Sequence, residues 1–292
     1  MRLAVHHRTK YTFREPVVHA LQRLHLTPKS TSGQTVVEWN MRYTGAHEEL
    51  HYDDHNMNTT VLIAVDPGVH EVVIECEGIV DTADNAGVIG RHAGHLPRWH
   101  FLSQTKLTKP GPKMKALAQQ LARNEDSTLD TLHSLCSAVL EEMEYQTGET
   151  DAETRAEDAL AAGKGVCQDH AHVFIGIARH LGIPARYVSG YLMMDERVEQ
   201  EASHAWAEAY VDDLGWVGFD ISNKICPDER YIRVATGRDY GEAAPITGIQ
   251  LGGMSDSLTV ELAVENRGAS QSQSQGANGQ AQAQSQQSQS QG

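Results

Sequence analysis

The stretch AGKGVCQDHAHVF, Ala162 to Phe174, sets one cysteine after two glycines and ahead of two histidines. Gly163 and Gly165 let the backbone turn sharply into a helix whose first residues are Val166 and Cys167. Ala171, Phe174, Ala178 and Leu181 form one face of that helix, and Gly182-Ile183-Pro184 ends it, which predicts a helix over Val166–Leu181. The sulfur therefore stands beside unpaired N–H groups at the positive end of a helix dipole, where a thiolate is favoured and an oxyanion can be held. Three readings are open for it: a nucleophile, a zinc ligand with His170 and His172, or a buried thiol without chemistry.

Working outward, the first hundred residues read as strands. Arg2–His6, Thr35–Tyr43, Thr59–Val65 and Glu71–Val80 are β-branched or alternating, with Pro-Gly, Asp-Asn and Ser-Gly pairs between them. Helical spacing follows at Met114, Leu117, Ala118 and Leu121 behind Pro112. It recurs on a stripe from Leu129 to Met143, capped by Ser127 or Thr128 and carrying Cys136, and again over Glu153–Ala162. Three strands come after the quoted helix, at Ala185–Met194, Ser203–Val211 and Trp216–Ile221, and a last one at Ser257–Val264. This order predicts an α+β chain in three parts: a β-rich region over 1–104, a mixed domain over 105–268 and a tail over 269–292. From Ala269 onward only Ser, Gln, Gly, Ala and one Asn occur, so disorder is expected there.

A nucleophilic cysteine needs a base, and the base an orienting group. The segment SHAWAEAYVDDLGWVGFD offers both, with Asp212-Asp213-Leu214-Gly215 as a hairpin turn. Alternation puts Ala205, Ala207, Ala209 and Val211 on one face, and His204, Trp206, Glu208 and Tyr210 on the other. Folding back at the turn brings Asp220 within a few residues of His204. If the small apolar faces form the sheet's buried side, His204 and Asp220 emerge together toward the helix that bears Cys167. The zinc reading is weaker, because Cys167 and His170 share a helix side while His172 points away, and no second ligand pair has recognisable spacing. No metal and no cofactor are expected.

The segment Tyr145–Pro245 resembles the bacterial transglutaminase-like superfamily. The matching blocks are GVCQDHAH, RHLGIPARYVSGY, SHAWAEAYV and GWVGFD, followed by GRDYGEAAPITG and SLTVELAVE. YTFREPVVHALQRLHLTP is similar to the β-rich N-terminal region that accompanies the family, so the likeness spans about residues 1–266. It implies a papain-like core, a helix-borne cysteine packed on an antiparallel sheet, after an antiparallel β-domain. It also implies Cys167 as nucleophile, His204 as general base and acid, and Asp220 as the orienter of His204, with Tyr145 a candidate for the oxyanion site. Members often carry an Asp-x-x-Gly-Asn block, where this chain has DDHNMN at Asp53–Asn58.

The chemistry expected is attack on an amide carbonyl and a thioester on Cys167. Water as acceptor makes the protein a peptidase or amidase, which is the first expectation. A lysine amine makes it a transglutaminase, and a scaffold that keeps the fold without catalysis is a third reading. The partner expected is a peptide or protein amide substrate. The net charge of −15 argues against nucleic acid, whose phosphates need clustered Lys and Arg. The acidic runs Glu141–Glu144, Asp151–Glu157 and Asp195–Glu201 read as solvated surface. No apolar run approaches the ~20 residues of a membrane span. MRLAVHHRTKYTF lacks a secretory apolar core, and the four cysteines suggest no disulfide framework, so a cytoplasmic setting is expected.

Overall fold

A computed structural model describes residues 1–121, 127–194, 199–200, 203–251 and 255–268. The tail 269–292 and most of the acidic segment Asp195–Glu201 lie outside the described residues. The fold is α+β. A central antiparallel sheet runs in the order Tyr231–Gly237, Ala185–Leu192, His204–Val211, Gly215–Phe219, Val88–Gly90. The helix Cys167–His180 packs against it, flanked by the helices Pro112–Leu121, Thr128–Glu142 and Ala156–Ala162.

Side-chain size decides which sheet face takes the helix. Ala205, Ala207, Ala209, Val211, Val217, Phe219 and Ile221 share one core with Ala171, Phe174 and Ala178 of the helix. Small residues let a helix lie close to a sheet, and contacts at that range hold both in register. The expectation that His204 and Asp220 would share the helix-facing side is thereby corrected. They lie on the opposite face, with Trp206 and Tyr231. Farther along this face the buried Glu208 accepts from Arg186 Nε at 2.6 Å and Arg233 Nε at 2.7 Å. The Arg186 guanidinium sits 4.0 Å above the Trp216 ring. Polar residues thus fill a covered face because each charge has a partner.

The N-terminal strands build two more sheets, and the C-terminal strands complete both. Ser255–Asn266 pairs with Arg2–Phe13, and Ile246–Leu251 pairs with His19–Thr27. Val88–Gly90 conversely forms the far edge of the central sheet. The strand Arg2–Phe13 alternates as the hydrophobic pattern requires, burying Leu3, Val5, His7 and Thr9. Its Leu3 and Val5 pack with Tyr191, Ile232 and Val234 of the central sheet.

The strands Tyr231–Gly237 and Ile246–Leu251 were not expected from the sequence, and two strands of the N-terminal region had no legible pattern. His19–Thr27 (HALQRLHLT) is rich in helix formers and becomes a strand because partners flank it on both sides. Ala46–Asp53 is an almost wholly exposed edge, so nothing forces its residues to alternate in polarity. One acidic run also departs from the solvated-surface expectation. Buried Glu157 accepts from the backbone N–H groups of Gly111, Lys113 and Met114 at 2.9, 2.8 and 3.1 Å. It thereby caps the helix Pro112–Leu121, whose own preceding residue, Gly111, has no side chain to do so.

The DDHNMN segment forms its turn without glycine. Met57 takes φ +66°, and Asp54 Oδ1 accepts from the N–H groups of Asn56 and Asn58, both at 2.8 Å. Asn58 then exchanges two 2.8 Å hydrogen bonds with the backbone of Thr236 in the central sheet. A left-handed backbone costs a non-glycine residue about 1–2 kcal/mol, of which the entropy of an unfolded glycine takes back about 0.4–1 kcal/mol. Met57→Gly is therefore expected to raise stability by up to ~1 kcal/mol, read as a higher urea midpoint at unchanged slope. A lower midpoint would show that the methionine side chain outweighs its backbone strain.

Candidate active site

The helix bearing the cysteine begins at Cys167, with Val166 as its N-cap. Valine has no side-chain acceptor for the first-turn N–H groups, and Asp169 instead fixes the N-cap residue itself. Its Oδ2 accepts from Val166 N–H at 2.8 Å and from Thr150 Oγ at 2.6 Å. Gly165 makes room for this, since a Cβ there would stand 2.7 Å from the Asp169 Cβ. The parallel pairing of Glu144–Tyr145 with Lys164–Gly165 brings Tyr145 to the same helix start. Cys167 is partly exposed at the floor of a cleft of about 380 Å³. Tyr145, Gln168, Tyr187, Met194, His204 and Tyr240 are among the residues around it.

His204 and Cys167 meet because each opens its element at the same end of the sheet. The imidazole faces the Cys167 thiol across the cleft and interacts with it electrostatically, and Nε2 lies 2.6 Å from Asp220 Oδ2. With Nε2 engaged by the carboxylate, Nδ1 is the nitrogen left for sulfur. Burial works to lower the His204 pKa. The hydrogen bond to Asp220, the interaction with Cys167 and the negative charges of both outweigh it, and push the value up to about 10. Burial likewise works against ionised Asp220, but donors from His204, Tyr231 and Asn223 prevail and hold its pKa below the ordinary carboxylate value. The structure thus brings Cys167, His204, Asp220 and Tyr145 together as expected from the sequence, though with the dyad on the other sheet face.

The two histidines after the cysteine go elsewhere. His170 Nδ1 lies 2.9 Å from Ser222 Oγ, and His172 Nε2 accepts from Tyr240 N–H at 3.1 Å. Burial lowers their pKa values to about 4 and about 3, so both are neutral and serve as internal hydrogen-bonding groups. Sequence reasoning missed Asn223 and Tyr231, which both hold Asp220; Trp206, expected on the His204 face, stacks on that ring at 6.3 Å. Asn223 had only the faint signal of its spacing, three residues after Asp220, within reach of a local side-chain-to-backbone bond. Tyr231 had none, because sheet order alone brings it there.

Comparison with known proteins gives the family and the fold. The transglutaminase-like superfamily core matches residues 115–221, and the bacterial transglutaminase-like N-terminal region matches residues 3–81. The chain belongs to the transglutaminase-like superfamily. An uncharacterised protein of Mycobacterium leprae is 28% identical over 277 residues, covering 90% of this chain and 98% of that one. One of Mycobacterium tuberculosis is 27% identical over 273 residues, covering 85% and 87%. The crystal structure of a candidate cysteine protease from Cytophaga hutchinsonii shares the fold, with a TM-score of 0.73 at 21% identity over 91% of each chain. Superfamily core and site coincide: the matched core contains Cys167, His204 and Asp220.

The four cysteines, all free thiols, stand in unlike surroundings. Burial pushes the Cys76 thiol up to about 12 and raises Cys136 and Cys226 as well, whereas Cys167 faces the cleft beside an imidazolium. Iodoacetamide near pH 6 is expected to label Cys167 far faster than the other three, scored by peptide mass mapping; equal rates at all four would remove the nucleophile reading. A second expectation concerns stability. His204 keeps its proton to about pH 10 when folded but releases it near 6.5 when unfolded. Above pH 6.5 the His204 imidazole itself therefore binds more protons in the native state than in the unfolded one, and its own contribution to stability falls with rising pH. The contribution is complete below pH 6.5 and lost by about pH 10. Thermal melts of the protein and of His204→Gln across that window should show this downward slope in the parent alone.

Proposed function

We propose that the protein is a thiol-dependent amide-bond hydrolase, a peptidase or amidase working through a thioester on Cys167. The observation that carries the reading is one arrangement. Cys167 at a helix N-terminus and His204 line one open cleft, and His204 bonds a buried Asp220 at 2.6 Å. In this reading the Cys167 thiolate attacks the amide carbonyl, and the first-turn N–H groups hold the oxyanion. Tyr145 stands at the cleft as a second donor. Burial and the neighbouring Cys167 charge raise its pKa, so the phenol keeps its proton at neutral pH. The His204 imidazolium gives its proton to the leaving amine, and the acyl group stays on sulfur. The now neutral imidazole then takes a proton from water as it attacks the thioester, which releases the acid and restores the pair.

Water is the acceptor we favour over a lysine amine. The sequence carries no acidic loop with calcium-ligand spacing, which makes a calcium-dependent crosslinker the less favoured reading. Asp220 is buried behind His204, where its charge serves the imidazole. The free thiols suit a reducing compartment, and we place the activity in the cytoplasm.

The test incubates the protein with a glutamine-containing peptide library, with and without a labelled primary amine. Peptide cleavage or ammonia release is expected, abolished in Cys167→Ala. Asp220→Asn should lower kcat/KM by about 10²–10⁴-fold, since it disturbs the tautomer and charge of His204. Amine incorporation in excess of hydrolysis would turn the reading to crosslinking. No product of either kind would favour a scaffold.

A further inference from the structure

We propose that Tyr231, on a strand separated in the sheet by two others from the strand that leads into Asp220, is a positioning residue that fixes the Asp220 carboxylate for His204, an inference that rests on the acyl-transfer reading of the site. The phenol donates to Asp220 Oδ2 at 2.6 Å, the same oxygen that takes His204 Nε2 at 2.6 Å and Asn223 Nδ2 at 2.7 Å. Asn223 N–H reaches the other oxygen at 3.2 Å. An ionised carboxylate offers each oxygen about two lone-pair directions, so Oδ2 is saturated by donors. A carboxylate held in this way cannot rotate without leaving the phenol and the amide unpaired in a buried space. Its orientation dictates which imidazole nitrogen keeps a proton, and hence which one faces Cys167.

Tyr231 is itself well anchored. It opens the strand Tyr231–Gly237, is buried, and its ring lies edge-on to Trp206 at 5.4 Å and tilted to His204 at 6.0 Å. Two residues on, Gln34 from the N-terminal region clamps Arg233. Its Nε2 donates to the Arg233 carbonyl, and its Oε1 accepts from Arg233 N–H, both at 2.8 Å. The phenol therefore carries the rigidity of the N-terminal sheets to the carboxylate. Donors on the ionised form also resist its protonation, as the lowered Asp220 pKa reflects.

Tyr231→Phe removes only the hydroxyl and leaves a ring of the same shape, and thermal melting monitors its folding. The first readout is the pH dependence of Cys167 alkylation by iodoacetamide, which requires no substrate. Its acid limb is expected to move up by about half a pH unit or more, because Asp220 then protonates more easily. Asn223→Ala, which removes another donor to the same oxygen, should move it in the same direction. The second readout is the His204 Nε2 proton resonance by NMR, assigned by its loss in His204→Ala; it should shift in Tyr231→Phe. With an amide substrate, kcat should fall about tenfold at unchanged KM, the signature of lost transition-state alignment. An acid limb and a resonance that both match the parent would overturn the proposal. If the parent turns over no amide, the hydrolase reading fails while the alkylation profile and the resonance still decide the role of Tyr231.

Discussion

The site depends on keeping one carboxylate charged inside the protein. Asp220 is fully buried, and an isolated ionised carboxylate would cost far more there than a domain's net stability. The cost is offset locally: three side-chain donors and one backbone N–H surround the group, and the imidazolium of His204 supplies the opposite charge. The elements that provide these donors must then hold station relative to one another. His204 opens one strand, Tyr231 opens another, and Asn223 sits in the loop after Phe219. The same need explains the anchoring behind the site. Ser222, in the Asp220 loop, bonds buried His170 of the cysteine helix, so loop and helix are joined directly.

Packing of the helix on the sheet and placement of the chemistry are separate tasks for the same strand. Its alanine face brings the helix close, while its other face carries His204, Trp206 and Glu208. A histidine within the helix-facing core would lie under the helix and away from the cleft. At the strand's first position, on the far face, it reaches round the sheet's end to the helix's first residue. Gly190 shows how tightly this end is built, since a Cβ there would approach the Trp206 ring to 2.6 Å. His204 pairs with that glycine across the sheet.

The helix start was legible in AGKGVCQDHAHVF because glycine placement and apolar spacing are local signals, and the hairpin joining His204 to Asp220 was legible from turn residues. The face that receives the helix was harder to read. Alternation sorts residues into two sets but does not say which set the helix covers, and here side-chain size decides, through Ala205, Ala207 and Ala209. Tyr231, Gln34 and Glu157 left no mark in the pattern. Each acts across more than ten residues or between elements whose adjacency only the sheet order reveals. His19–Thr27 was illegible for the related reason that its conformation comes from its neighbours, against its own propensity.

The interwoven topology bears on why a β-rich region accompanies a small thiol site. Ser255–Asn266 and Ile246–Leu251 return to the N-terminal sheets, so the central strands are tied at both ends of the chain. The contacts that cross between the parts reach the site's supports. Gln34 clamps the strand of Tyr231, Asn58 clamps Thr236 on the same strand, and Thr82 donates to the carbonyl of Glu229 just before it. Such backbone clamps place a strand more firmly than apolar contact alone, because a slip along the strand breaks both bonds of the Gln34 and Asn58 pairs. A hydrogen bond to a buried carboxylate weakens steeply with misalignment, so the Tyr231–Asp220 contact requires that kind of fixing. The N-terminal region contributes none of the described residues around the cleft, and instead holds the strand whose first side chain donates to Asp220.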